Sequence, residues 1–327
     1  MTRRPGLTLT EVLVTLAILS FGILAILTLF PLAASQMAIA VREDRSAQAA
    51  NAADSFMRAY WKTEFVEQNG ANEMLPQGAW TAFDDPDGAG SLPPAAAGEP
   101  SYPVMIDPMG YLVRPGSVGD SGASKLARRT LSKLNGNQQY SFRACSLMDG
   151  MGYDENGRPS APGGPGTAER ELRYNWAWVL QRPVNGGANN NVATMDVLVY
   201  DNRPYLYAST GMEGVFDTAA PLVVPGSTSL NLSKTAGILP NVKPGMWIMD
   251  VTDPTVNLPT TNKIRHAYCY QVMTAKPDLT GNVVYLELQT PLKKAIDPGW
   301  TPTSYKGRFV VLRGVTGVYP RAPLMGN

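Results

Sequence analysis

From Val12 to Ala34 the chain reads VLVTLAILSFGILAILTLFPLAA, 23 residues without a charge. As an α-helix rising about 1.5 Å per residue, a run of this length reaches roughly 34 Å and crosses a hydrocarbon core of about 30 Å. The segment therefore reads as a membrane span. Arg3 and Arg4 stand just before it, and a Lys/Arg excess marks the cytoplasmic side, so the residues after the span are expected across the membrane. Glu11 opens the run, and a carboxylate at the edge of a span needs a partner. The positive end of its own helix is one; a cation on another chain is the other. Ala38-Ile39-Ala40 offers an A-x-A-like site for ordinary secretory cleavage, but signal peptides carry about 7 to 15 apolar residues and leave an embedded Glu unexplained.

The residues around Glu11 narrow the choice. The string GLTLTEVLVTLAILSFGILAILTLFPLA, residues 6–33, closely resembles the N-terminus of type IV pilins and of type II secretion pseudopilins. In that family a prepilin peptidase cuts after a Gly that closes a short basic leader and methylates the new amine, and the fifth mature residue is Glu. The resemblance implies that residues 1–6 are the leader, that Gly6 precedes the cut, that Leu7 is the methylated mature N-terminus, and that Glu11 sets assembly register. EVLVTLAILSFGIL is most similar to the PilV-type minor pilins and the related minor pseudopilins. Two residues depart from the pattern: Leu7 stands in place of the usual Phe, and the helix-kinking proline, Pro31, lies further along than in major pilins. The resemblance further implies a prepilin peptidase, other pilin or pseudopilin subunits and an inner-membrane assembly platform as partners. It places the protein as a single-pass inner-membrane subunit that later enters a pilus or pseudopilus.

Beyond the span, Ser35 to Lys62 is Ala-rich and free of Gly and Pro, which predicts that the helix continues. Ala49, Ala52, Ala53, Phe56 and Tyr60 recur at helical spacing as one apolar stripe. A long helix over residues 7–65, with its span at 12–34, is thus expected to carry a globular head. Pro and Gly punctuate the chain after Asn69, and strand patterns dominate from Gln139 onward. In ELRYNWAWVLQR, residues Leu172, Tyr174, Trp176, Trp178 and Leu180 alternate with polar or small neighbours, the period-2 signature of a half-buried strand. NVATMDVLVYD follows as its hairpin partner. PLVV, GMWIMDV, HAYCYQVMTA, NVVYLELQT and GRFVVLRGV form a second block of evenly spaced short strands, the pattern of a small barrel or sandwich. The expected fold class is α+β: a pilin-like long helix packed on an enlarged β-rich head, read as two lobes at 66–204 and 205–327.

Composition argues against most chemistry. With 28 Lys and Arg against 27 Asp and Glu, nothing points to nucleic acid through bulk charge. The cluster Lys125, Arg128, Arg129, Lys133 lies in a segment that reads as a short amphipathic helix, Ser124 to Leu134, and without interleaved aromatics it reads as a solvated face. One His and two Cys are too few for a structural zinc site. Gly119-Asp120-Ser121-Gly122 is similar to a serine-protease nucleophile loop, but the only His, His266, lies downstream of it. The acidic loops holding Asp84, Asp85 and Asp87, and Asp154, Glu155 and Asn156, complete no 12-residue calcium loop. No catalytic residue, cofactor or metal is expected. Cys145 and Cys269 can pair only with each other; one bridge tying the lobes and two separate buried thiols both fit an oxidising compartment. The expected function is a non-enzymatic structural subunit, and the alternative is a single-span, membrane-anchored binding protein that does not polymerise.

Overall fold

The computed structural model describes residues 8–63, 83–84, 98, 100–113, 116–119, 126–131, 144–147, 173–184, 192–201, 203, 213–219, 223–235, 238–252, 267–293 and 305–325. Helix α1 runs from Leu9 to Trp61, 53 residues, or about 80 Å. Pro31 lies inside it. The chain divides into two units, Met1–Ala47 and Gln48–Asn327, and α1 belongs in part to each.

From Leu9 to Asp44 the described side chains of α1 are exposed. Leu13, Val14, Leu16, Ile18, Leu19, Phe21, Ile23, Leu24, Ile26, Leu27, Leu29 and Phe30 are all exposed, so the helix is apolar on every side. A helix of that kind belongs in lipid or inside a bundle.

In the second unit Ala49, Ala53, Met57 and Trp61 recur every four residues and are fully buried, with Ala52, Phe56 and Tyr60 packed at the flanks. The expected stripe is present, with Met57 and Trp61 deeper in it than Phe56 or Tyr60. The small alanines let the helix approach a six-stranded sheet closely. The sheet comprises β1 (Val104–Ile106), β2 (Gly116–Ser117), β3 (Ala127–Arg129), β4 (Tyr174–Gln181), β5 (Ala193–Asp201) and β12 (Val315–Leu324). Its order is β12-β5-β4-β1-β3-β2. A short helix, α2 (Pro108–Val113), follows β1. β4 and β5 form the expected antiparallel hairpin. The Trp178 indole donates to the carbonyl of Ala53 at 3.0 Å, and Phe56 stacks on its ring with centroids 5.8 Å apart.

β4 corrects the half-buried expectation, because both its faces are covered. Tyr174, Trp176, Trp178 and Leu180 face the α1 layer, whereas Ala177 and Val179 face a third layer. That layer is a second six-stranded sheet, of β6 (Glu213–Asp217), β7 (Ser229–Ser233), β8 (Trp247–Asp250), β9 (Tyr268–Pro277), β10 (Val283–Leu288) and β11 (Arg308–Leu312). Its order is β6-β11-β8-β9-β10-β7, and a bridge between Thr218 and Leu232 joins its two edges. The result is a small antiparallel barrel. Phe216, Leu232, Ile248, Tyr270, Val272, Leu286, Phe309 and Val311 fill its interior. Val215, Met249, Val310 and Leu312 project outward to meet Met105, Val179, Leu198 and Tyr200 of the first sheet.

The expected boundary at residue 204 falls between the two sheets but does not separate two lobes. The last strand, β12, returns to pair with β5, and the outward face of the barrel shares one apolar layer with the first sheet. Two sheets that bury each other's faces make one unit. A second correction concerns the segment read as an amphipathic helix: residues 127–129 are β3, parallel to β1. Arg128 and Arg129 are buried with Leu126 and Leu131, so these two do not sit on a solvated helix face; Lys125 and Lys133 lie outside the described residues.

Candidate functional site

The first turn of α1 carries the local geometry of interest. Thr8 is the N-cap. Its backbone N–H and its hydroxyl both donate to Glu11 Oε2, at 2.9 and 3.0 Å, and the Glu11 N–H donates back to Thr8 Oγ1 at 3.4 Å. This reciprocal pair is a capping box, in which a hydroxyl and a carboxylate three residues apart satisfy the amide donors that a helix start leaves open. Glu11 is thus held over the positive end of its own helix, the local partner foreseen from sequence. Thr15 donates from its hydroxyl to the Glu11 carbonyl at 2.9 Å. Gly6 and Leu7 lie outside the described residues.

A second polar feature lies between the first sheet and the barrel. Arg203 grips Asp107 with two bonds, Nη1 to Oδ1 at 2.8 Å and Nη2 to Oδ2 at 2.7 Å. It also reaches Glu213 Oε1 at 3.1 Å. Arg128 sits between the same two carboxylates, its Nε 3.3 Å from Asp107 Oδ2 and its Nη2 bonded to Glu213 Oε2. The Arg203 guanidinium lies over the Tyr200 ring, 4.2 Å from the centroid. Backbone N–H groups of Gly110 and Gly119 donate to Asp107 and Glu213.

All four side chains are buried. Burial pushes each carboxyl pKa upward, but the facing guanidinium groups outweigh it and hold Asp107 and Glu213 below the ordinary carboxylate range. Two cations against two anions leave no uncompensated charge. The arrangement offers no water-accessible nucleophile or base, and its chemistry is structural.

Sequence reasoning missed this quartet. Asp107 follows β1, Arg128 is in β3, Arg203 follows β5 and Glu213 opens β6, so the four come from separate elements and no local motif announces them. All six residues of LARRTL, 126–131, are buried, and no alternation in the sequence marks the segment as a strand.

The remaining candidates resolve simply. Gly119 has a φ of +102°, and a Cβ there would lie 2.3 Å from Val215 Cγ2. That glycine is required by packing against β6. Asp120, Ser121, Gly122 and His266 lie outside the described residues, as do Asp85, Asp87, Asp154, Glu155 and Asn156. Asp84 accepts from Arg182 at 3.1 Å. Among the described residues no group of three or more His, Cys, Asp or Glu is placed to hold a metal ion.

The bridge considered for Cys145 and Cys269 is not formed: both are free thiols. Cys145 is buried in the layer between α1 and the first sheet, whereas Cys269, on β9, packs at the layer between the sheet and the barrel. The first sheet separates them. Burial raises the pKa of both thiols.

Among the described residues most of the exposed large apolar side chains lie on α1. It is long and apolar enough to cross a membrane. Residues 1–27 match the sequence model of the prokaryotic N-terminal methylation motif. The match supports the type IV pilin-like resemblance of the N-terminal segment, with prepilin-type processing and membrane anchoring, and it does not extend into the head. No curated protein and no solved structure matches the chain.

Proposed function

We propose that the chain is a structural subunit of minor pilin or pseudopilin type. In this reading a prepilin peptidase cuts between Gly6 and Leu7, α1 holds the subunit in the inner membrane with the head on the extracytoplasmic side, and α1 then carries the subunit into a type IV pilus or type II secretion pseudopilus beside other subunits.

The observation that carries this reading is the conjunction of the methylation motif over residues 1–27 with a helix whose following residues are apolar on all sides and exposed. A plain anchor needs the second feature and has no use for the first. Strand addition is a poor alternative route to a polymer. The barrel closes on itself through Thr218 and Leu232. At one edge of the other sheet, β12 contains Pro320 and Pro323, and Arg58 donates to the carbonyls of Ala322 and Pro323. Prolines and capped carbonyls are the usual means of blocking strand addition.

Assembly then depends on Glu11. Once the leader is removed, Leu7 carries an amine that stays cationic when methylated. A carboxylate and an amine in lipid each lower the other's desolvation cost only when they meet. The test is Glu11→Gln at equal membrane abundance. Insertion and cleavage at Gly6 should be retained while the fraction of subunit in sheared surface filaments falls. Equal incorporation of mutant and wild type contradicts the charge-register mechanism.

A further inference from the structure

Strands β7, β9 and β10 finish together at one end of the barrel. Ser233 lies opposite Val283, and Val284 opposite Pro277; the Lys234 N–H donates to the Asn282 carbonyl at 2.9 Å. Two turns leave from this end. One, residues 278–281, joins β9 to β10. The other follows β7, and there Thr235 and Ile238 exchange backbone bonds at 3.0 and 2.9 Å.

The first turn is braced from within. Asp278 Oδ1 accepts from the Leu279 N–H at 2.8 Å, Asp278 Oδ2 accepts from the Thr280 hydroxyl, and the Gly281 N–H donates to the Asp278 carbonyl at 3.0 Å. Gly281 takes the left-handed conformation, with a φ of +65°, that closes such a hairpin loop. Asp278 and Gly281 are residues that turns favour; Leu279 is not. Its side chain is fully exposed, and Ile238 on the neighbouring turn is 63% exposed. One apolar side chain on a surface is ordinary. Two, on adjacent hydrogen-bonded turns, make a paired apolar tip.

The surroundings select the occupant. β10 is paired on both sides, by β9 and β7, and β7 is bridged at Leu232 to Thr218, so these strands offer a peptide no open edge. Two side chains at the ends of turns are a small part of the roughly 800 Å² that a folded partner covers. A bilayer surface needs neither an edge nor a complementary face, because its fluid interface takes up apolar side chains singly. Charge agrees with lipid. Lys234 and Lys276 are exposed beside the two turns, and lysines at a membrane are drawn to anionic headgroups. Among the described residues the two turns hold one carboxylate, Asp278, and both its oxygens are engaged within its own turn. Because α1 is long and apolar enough to cross a membrane, a bilayer is tethered to the head and a weak contact suffices.

We propose that this end of the barrel is a membrane-contact tip, in which Leu279 and Ile238 enter the headgroup region of an anionic lipid surface and Lys234 and Lys276 face its phosphates. The proposal goes beyond the subunit reading and holds equally for an anchored chain that never polymerises.

Thr235→Cys leaves both apolar side chains in place and carries a fluorophore in the full chain, reconstituted into nanodiscs whose lipids bear a spin label at the top of the acyl chain. Val224→Cys is the control; Val224 is exposed near the far end of β10, where Thr228 accepts from the Leu288 N–H. The wild-type chain reports any label on Cys145 or Cys269. In discs of phosphatidylcholine with phosphatidylglycerol, quenching at Thr235→Cys should exceed the control about fivefold. It should fall about fivefold on adding Leu279→Asp, or Lys234→Glu with Lys276→Glu, at an unchanged thermal midpoint. Equal quenching at the two labelled positions overturns the proposal, as does quenching that either set of variants leaves unchanged. Equal quenching in discs of phosphatidylcholine alone overturns the assignment to an anionic surface. A label that lipid does not quench, and that cross-links in native membranes to another polypeptide, overturns it in favour of a protein occupant. Cleavage at Gly6 and incorporation into filaments are read separately, so failure of the subunit reading is distinguished from failure of this one.

Discussion

Thr8 and Glu11 cap one another: the Thr8 amide and hydroxyl both donate to one carboxylate oxygen of Glu11, and the Glu11 amide returns a bond to the Thr8 hydroxyl. The carboxylate proposed to set assembly register is therefore oriented by its own helix start, and Oε1 takes no part in these three bonds.

Removal of the Thr8 hydroxyl should loosen this turn. Thr8→Ala is expected to cost the helix start about 0.5 to 2 kcal/mol, seen as faster amide hydrogen exchange at Val12 and Leu13 in detergent or nanodiscs. Unchanged exchange would show that the box contributes nothing to order there.

The buried quartet should be intolerant of losing a single charge. Glu213→Gln leaves Arg128 and Arg203 facing only Asp107, and breaking a buried pair in this way costs about 3 to 5 kcal/mol. Chemical denaturation of the intact chain in detergent measures it. A loss under about 1 kcal/mol would mean that water or relaxation compensates the cluster.

The same cluster sets a pH dependence. Asp107 and Glu213 have pKa values lowered on folding from the ordinary 3.8 and 4.5, so the unfolded chain binds more protons at acidic pH. Their contribution is fully present above the ordinary values and is lost as pH falls through the folded ones. Asp217, held low by Arg308 and Lys306, acts in the same direction. The thermal midpoint should be flat with respect to these groups from neutral pH down to about 5 and fall below about 4. Glu213→Gln should flatten that decline. A midpoint that instead rises on acidification contradicts the assigned ion pairs.

The two cysteines should behave as protected thiols. Maleimide labelling of the native head should be slow at Cys145, and denaturation without reductant should release two reactive thiols per chain. A chain that needs reductant before it labels would restore the Cys145–Cys269 bridge.

What the sequence revealed follows from the range of the forces involved. The span from Val12 to Ala34, the stripe through Ala49 and Ala53, and the alternating strands are patterns within a few turns or residues, so one-dimensional reading finds them. The charge of Arg128 misled for the opposite reason. Its neutralising partners, Asp107 and Glu213, lie far upstream and far downstream, and without them a buried arginine reads as a solvated one. β12 escaped similarly. GRFVVLRGV belongs partly to the barrel and partly to the first sheet, and the change of sheet at Gly314, whose φ is +79°, is a tertiary event. The burial of both faces of β4 required the barrel to be in place. At the candidate site, the methylation motif over residues 1–27 was legible because such a motif is a linear pattern.

The central claim is that this chain is cut and modified as a pilin-type subunit, and intact-mass analysis of the protein from the membrane fraction tests it most directly. A mature chain that begins at Leu7 and carries one extra methyl group is the expected result. A chain that begins at Val41, or one that retains residues 1–6, would contradict it.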